Sequence, residues 1–239
     1  FALETQSERG EKFAWKGEVS IAPISSRGTL TVTGLLGETV HRFLSEELPV
    51  VLTGGAASFR ADYDFAYEPR GMRLNLALPS VTLNGLALTG KDAFFRGGLT
   101  LERLQARIGP LALLGGSGGI TSLRAAMPQL DLTGLTVSPA SGAPLKLASL
   151  SLKGAQFDHG AGRIALDSLT LDGADIPVRR DRNGGINLLA MLPQKPAAAP
   201  QTAAPQAPAA NAWQVSLGTF TLNAATLRLE DLAVTPAAR

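Results

Sequence analysis

LASLSLKGAQFDHGAGRIALDSLTLDGADIPVRRDRNGGINL, residues 147–188, carries one pattern twice: apolar, any, apolar, any, glycine, small or apolar, any, apolar. The first copy is Leu150, Leu152, Gly154, Ala155 and Phe157. The second is Leu169, Leu171, Gly173, Ala174 and Ile176. The pattern returns at 81–88 around Gly85, at 130–137 around Gly134 and, in part, at 30–35 around Gly34. At 220–227 Ala224 stands in the glycine's place. Such self-similarity marks a repeat architecture. Before each glycine the apolar residues alternate, as in a half-buried strand. After it they resume one position late. A slip of one residue would turn the rest of the strand inside out. A bulged residue restores the phase and bends the strand, and glycine accepts the positive φ this requires. Each repeat therefore reads as a strand kinked at its middle. Its apolar side stays on a concave or covered face, and residues such as Thr82, Asp131, Ser151 and Thr170 take the other. The alternative is an ordinary sheet in a closed sandwich, with the glycines at tight turns.

The 239 residues suffice for one large all-β domain or two small ones. The chain is 45% hydrophobic but only 5% aromatic, so leucine, valine and alanine must build the apolar face. Net charge is +2, from 22 basic and 20 acidic residues scattered along the chain, which is no nucleic-acid footprint. The absence of cysteine excludes disulfides and thiolate metal sites. No apolar run approaches the roughly 20 residues of a membrane span. A start at Phe1 and a stop inside a strand-like pattern suggest a fragment of a longer protein.

Alternation predicts strands from Phe13 to Ile21, at 29–35, 59–67, 72–78 and 81–88, and then at 99–108, 111–114, 130–137, 145–157, 163–176, 178–180, 185–187, 213–217 and 219–229. Between Leu101 and Ala106 the helix and strand periods compete. Gly54-Gly55 reads as a turn and Asn183-Gly184 as a tight hairpin. At 38–48 the rhythm becomes helical: Val40, Phe43, Leu44 and Leu48 share a face, and Pro49 stops the segment. Residues 194–212, QKPAAAPQTAAPQAPAANA, form a Pro/Ala-rich linker with nothing to bury. The expected organisation is a β-groove segment over 1–193, the disordered linker over 194–212, and a continuation of the groove over 213–239. One helix cannot cover so many one-sided strands, so the sheet must cover itself. The expected fold is mainly β: an elongated, kinked antiparallel sheet curled into a groove, with one amphipathic helix.

No catalytic constellation stands out. His41 and His159 are the only histidines and lack ligands at metal spacing, so they read as surface residues. Asp167, Asp172, Asp175 and Asp181 read as solvated charge, and Arg179, Arg180 and Arg182 as a solubilising turn. GGSGG at 115–119 does not fit a dinucleotide loop, and no nucleophile motif occurs. A carbohydrate hydrolase would need paired carboxylates from unrelated strands.

FAWKGEVSIAPISSRGTLTVTGL (13–35), HRFLSEELP (41–49), ADYDF (61–65), SLTLDGADIPVRRDRNGGINLLAMLP (168–193) and WQVSLGTFTLNAATLRLED (213–231), in this order, resemble the AsmA-like envelope proteins. That superfamily includes AsmA, YhdP and TamB, and the likeness is greatest to its branch known only as a domain of unknown function. The resemblance implies a periplasmic segment of a Gram-negative protein, held at the inner membrane by an anchor outside this chain. It implies a non-enzymatic role in carrying phospholipid, or another acyl-chain lipid, between inner and outer membrane, or in supporting outer-membrane biogenesis. Envelope proteins are possible partners. No cofactor, metal or nucleic acid is implied, and no catalytic residue carries over. Acyl chains would then lie along Leu74, Leu76, Leu83, Leu86, Leu132, Leu150, Leu152, Leu169 and Leu171. The competing reading is a structural or adhesive β-repeat protein of the envelope with a fully packed core.

Overall fold

The computed structural model describes residues 1–68, 71–91, 95–116, 119–140, 142–187 and 213–234. The expected linker at 194–212 lies outside them. Among the described residues the chain forms one sheet of 11 strands with a single short helix. In order these are β1 (Ala2–Gln6), β2 (Lys12–Ile21), β3 (Ile24–Leu36), α1 (Gly37–Leu44), β4 (Val50–Glu68), β5 (Gly71–Gly90), β6 (Gly97–Gly116), β7 (Gly119–Pro139), β8 (Leu145–Asp158), β9 (Arg163–Arg180), β10 (Gln214–Asn223) and β11 (Thr226–Asp231). β1 to β9 pair in sequence order, each antiparallel to the next. The sheet does not close: β1 forms one edge, and β10 with β11 the other. It is a mainly β, kinked sheet curled into a groove.

Two features depart from the expected all-antiparallel meander. β10 and β11 both run parallel to β9, beside Arg163–Asp172 and Asp175–Arg180 respectively. The chain therefore re-enters at the Arg163 end of β9 and not through a hairpin, as parallel neighbours require. The middle strands are also longer than the sequence suggests. Gly54 and Gly55 lie inside β4, Pro79 and Ser80 inside β5, and 121–129 inside β7. Ladder pairs before and after these stretches hold the strands extended through them, where local turn propensity alone would break them.

The helix is shorter than the expected 38–48. It ends at Leu44, whose carbonyl accepts from the N–H groups of Glu47 and Leu48 in a closing turn. Val40 and Leu48 are half-buried as the periodicity requires, but Phe43 is 78% and Leu44 45% exposed, so half of the expected apolar face is left open. α1 packs mainly against β4 and β3. Its N-terminus has no cap of its own. Instead Glu11, only 3% exposed at the β1–β2 turn, accepts from the Leu36 N–H at 3.0 Å and the Ser7 hydroxyl at 2.9 Å. Hydrogen bonds from Thr39, Leu36 and Ser7, with Arg9 nearby, hold the Glu11 carboxyl below the usual range of about 4.5. A folded pKa below the unfolded one contributes stability above the unfolded value, and that contribution is lost as pH falls through the folded pKa. Glu11→Gln should therefore melt below wild type at pH 7. The gap should close as pH falls below about 4.5, and a pH-independent gap would assign the loss to packing.

Positive φ values mark the kinks. Gly34, Gly85, Gly134, Gly154 and Gly173 all lie between +62° and +69°. Ala224 has φ +48° and is the only described non-glycine with positive φ. The position where the sequence pattern puts alanine for glycine thus keeps the glycine conformation. A left-handed non-glycine residue costs on the order of 1 kcal/mol. Ala224→Gly should raise stability by roughly 0.5–1 kcal/mol, read from a denaturant midpoint, after allowing for the greater unfolded-state entropy of glycine. No gain would mean that the local contacts of β10–β11, and not backbone strain, set the cost there.

Pairing continues through most kinks without the extra residue that a bulge would insert. Leu101 pairs with Leu135 and Arg103 with Thr133, in one unbroken register on both sides of Glu102 and Gly134. Gly85, Glu102, Gly134, Ala148 and Gly173 sit at one level on β5 to β9, and each drops out of the ladder there. All five strands change phase together, so no register shift is needed. A shift does occur on β3, between Val32 and Leu35 around Gly34. The two copies in 147–188 do not stack on each other. Gly154 stands across from Asp167, and Gly173 across from Ala148. An antiparallel zigzag places successive glycines on two separate creases that run across the strands.

Candidate functional site

Strand residues two apart share a face, and registered partners stand side by side. Those rules assemble one apolar surface. Leu83, Leu104, Leu132, Leu150, Leu171 and Leu222 form an unbroken row across β5 to β10. Val81, Ala106, Leu130, Leu152, Leu169 and Phe220 form the next. Across the crease, Leu86, Leu101, Leu135, Leu147 and Ala174 form a third. Toward the other strand ends, Phe65, Leu74, Leu113 and Leu123 are in line, as are Tyr63, Leu76, Leu111 and Ala125. The nine leucines singled out in the sequence therefore all lie on this face, and all nine are half-buried.

No charged side chain enters these rows. The first charges on this side of β9 and β11 are Arg180 and Asp231, which pair with each other at 3.5 Å where those strands end. The opposite face is polar in equal register: Thr82, Gln105, Asp131, Ser151, Thr170 and Thr221 stand side by side. There the Ser151 hydroxyl donates to Asp131 at 2.6 Å.

No second layer covers the apolar face among the described residues. Each strand's substantial contacts are with its ladder neighbours. The buried apolar residues are few: Val32, Ala61, Leu101, Ala106, Leu147 and Ala174. Leu101, Leu147 and Ala174 flank the crease at Gly134 and Gly173, where the bend brings two apolar rows together. On the outer strands the face is more open still, with Val215 73% and Leu229 61% exposed. Such contiguous apolar exposure is unusual for a soluble surface.

Sequence reading missed part of this face. Leu101 and Leu104 lay in a stretch of mixed period, and only pairing with Leu135 and Leu132 settles them as strand. The aromatic residues Phe13, Trp15, Phe59 and Tyr63 read as isolated strands, although they continue the same surface through β2 to β4.

The other candidate groups do not converge. Asp175 pairs with Arg228, and Asp181 with Arg179 at 3.1 Å. Asp167 lies against Gly154, and Asp172 stands beside Ser149. The Nδ1 atom of His41 is buried without a partner, and His159 packs edge-on against Trp213 at 6.1 Å. Among the described residues no three His, Cys, Asp or Glu side chains gather as a metal site would require. No described helix is long and apolar enough to cross a membrane.

Comparison with family models, curated proteins and solved structures gives no match.

Proposed function

We propose that the chain is a non-enzymatic segment of a periplasmic lipid conduit, carrying phospholipid or a related acyl-chain lipid along the apolar groove. The observation that supports this most is the uncharged apolar face, continuous from strand to strand and left half-exposed by the fold. A packed structural repeat would bury its leucines, whereas no described side chain is both large and fully buried.

The physics of transfer follows from the rows. Each methylene removed from water contributes about 0.8 kcal/mol, so an acyl chain gains by lying on the leucines. Neighbouring strands are about 4.8 Å apart, and each offers a near-copy of the same leucine. A lipid that steps from Leu83 to Leu104 to Leu132 trades one contact for its equal, so the free-energy profile along the groove is nearly flat. Movement needs no chemical step in this segment, and its direction is set by a gradient or by another component. Head groups stay in water at the open lips. If the AsmA-like resemblance holds, such a segment would lie between inner and outer membrane. Lipid extraction and native mass spectrometry of the purified chain, beside its Leu132→Asp variant, test the reading. Stoichiometric lipid in the first and its loss in the second are expected.

A further inference from the structure

We propose that Trp15, Tyr63 and Ser26 form a station for the acyl-ester carbonyl of the bound lipid. The inference rests on the conduit reading and specifies which lipids it accepts. The trio is a polar knot on the otherwise apolar face of β2 to β4. The Trp15 indole N–H donates to the Tyr63 hydroxyl at 2.9 Å, and the Ser26 and Tyr63 hydroxyls share a proton contact at 2.9 Å. The local sequence makes room for it. Gly17, Gly28 and Tyr63 stand in one registered line across β2, β3 and β4. The two glycines leave a bare patch over which the large rings reach each other. A Cβ at Gly17 would come within 2.9 Å of the Trp15 ring.

A proton count carries the argument. One indole N–H and two hydroxyls supply three donor protons, and the knot contains two hydrogen bonds. Whichever hydroxyl donates between Tyr63 and Ser26, one O–H proton is left over. All three residues are half-buried, so water can take that proton in the lipid-free groove, and a lipid that covers the knot has to replace the water as acceptor. A phosphate is poorly suited, because none of the apolar rows offers a cation to pair with it, and an unpaired charge on a dry surface is costly. A neutral ester carbonyl accepts the proton without that penalty. Tyr63 pairs with Leu76, and Leu76 lies two residues from Leu74 on the same face. An ester held at Tyr63 would therefore start its acyl chain directly on the leucine surface. Tyrosine and tryptophan, with apolar bodies and polar tips, suit this boundary.

The test offers the whole chain an equimolar mixture of a diacyl ester phosphatidylcholine and its dialkyl ether analogue with identical chains. Bound lipid is read by native mass spectrometry. Wild type should favour the ester about two- to tenfold, the range one neutral hydrogen bond supports. Trp15→Phe/Ser26→Ala/Tyr63→Phe, which keeps the apolar surface and removes every donor, should bind both equally. Tyr63→Phe/Ser26→Ala is a milder variant in case the triple change disturbs folding. Equal binding of both lipids by wild type overturns the station and leaves the conduit standing, as does an ester preference that survives loss of the trio. Binding of neither lipid overturns both.

Discussion

Leu132→Asp is expected to fold and to lose its bound lipid. Leu132 sits mid-row on β7 between Leu104 and Leu150, and it is half-buried with no covering layer above it. In the empty groove an aspartate there can turn its carboxylate to water. The folding cost is then mainly the lost leucine contacts, on the order of 1–2 kcal/mol for a partly buried side chain. With lipid present the same carboxylate meets acyl chains and has no cation to pair with, and an unpaired charge against hydrocarbon is far more costly than that. Bound lipid should fall at least tenfold, while the circular dichroism melt remains cooperative. A folded variant with wild-type lipid content would remove Leu132 from the conduit. An unfolded one would show that this row is a dry, closed core and would shift the reading to a packed structural repeat.

The second large effect is on stability. Gly173→Val should destabilise by on the order of 1–3 kcal/mol. Two costs act together. The φ of +63° at Gly173 is one that a β-branched residue resists. Any Cβ placed there would also lie 2.7 Å from the Cβ of Ala148 on the neighbouring strand. Gly85 separates the two, because it has φ +62° and nothing within 4 Å of the position a Cβ would take. Gly85→Val should show the conformational cost alone and fall less than Gly173→Val. Adding Ala148→Gly to Gly173→Val should recover part of the difference. A wild-type denaturation midpoint for Gly173→Val would mean that the crease is not held in the left-handed conformation in solution.

Much of this fold is legible in residues close in sequence. Alternation within each strand depends only on the chain's own period of two, so the one-sided strands of 147–188 can be read without knowing their neighbours. The kinks are legible for the same reason: the phase change around Gly85, Gly134, Gly154 and Gly173 is a local feature, and Ala224 was visible as the exception. Local pattern, however, does not say what stands opposite. The crease keeps its register because Glu102 and Ala148, which match no repeat, meet glycines of adjacent strands at one level. Pairing in turn carries β4 through Gly54-Gly55 and β5 through Pro79, where local propensity predicts a break. The parallel docking of β10 and β11 on β9 likewise depends on contacts across a long connection. The apolar leucines were therefore evident from the sequence alone, as was the side of the strand they occupy. Their joining into continuous rows, and the meeting of Trp15 with Tyr63 48 residues away, were decided by the tertiary structure, because register is set by whole strands in contact and not by the pattern within any one of them.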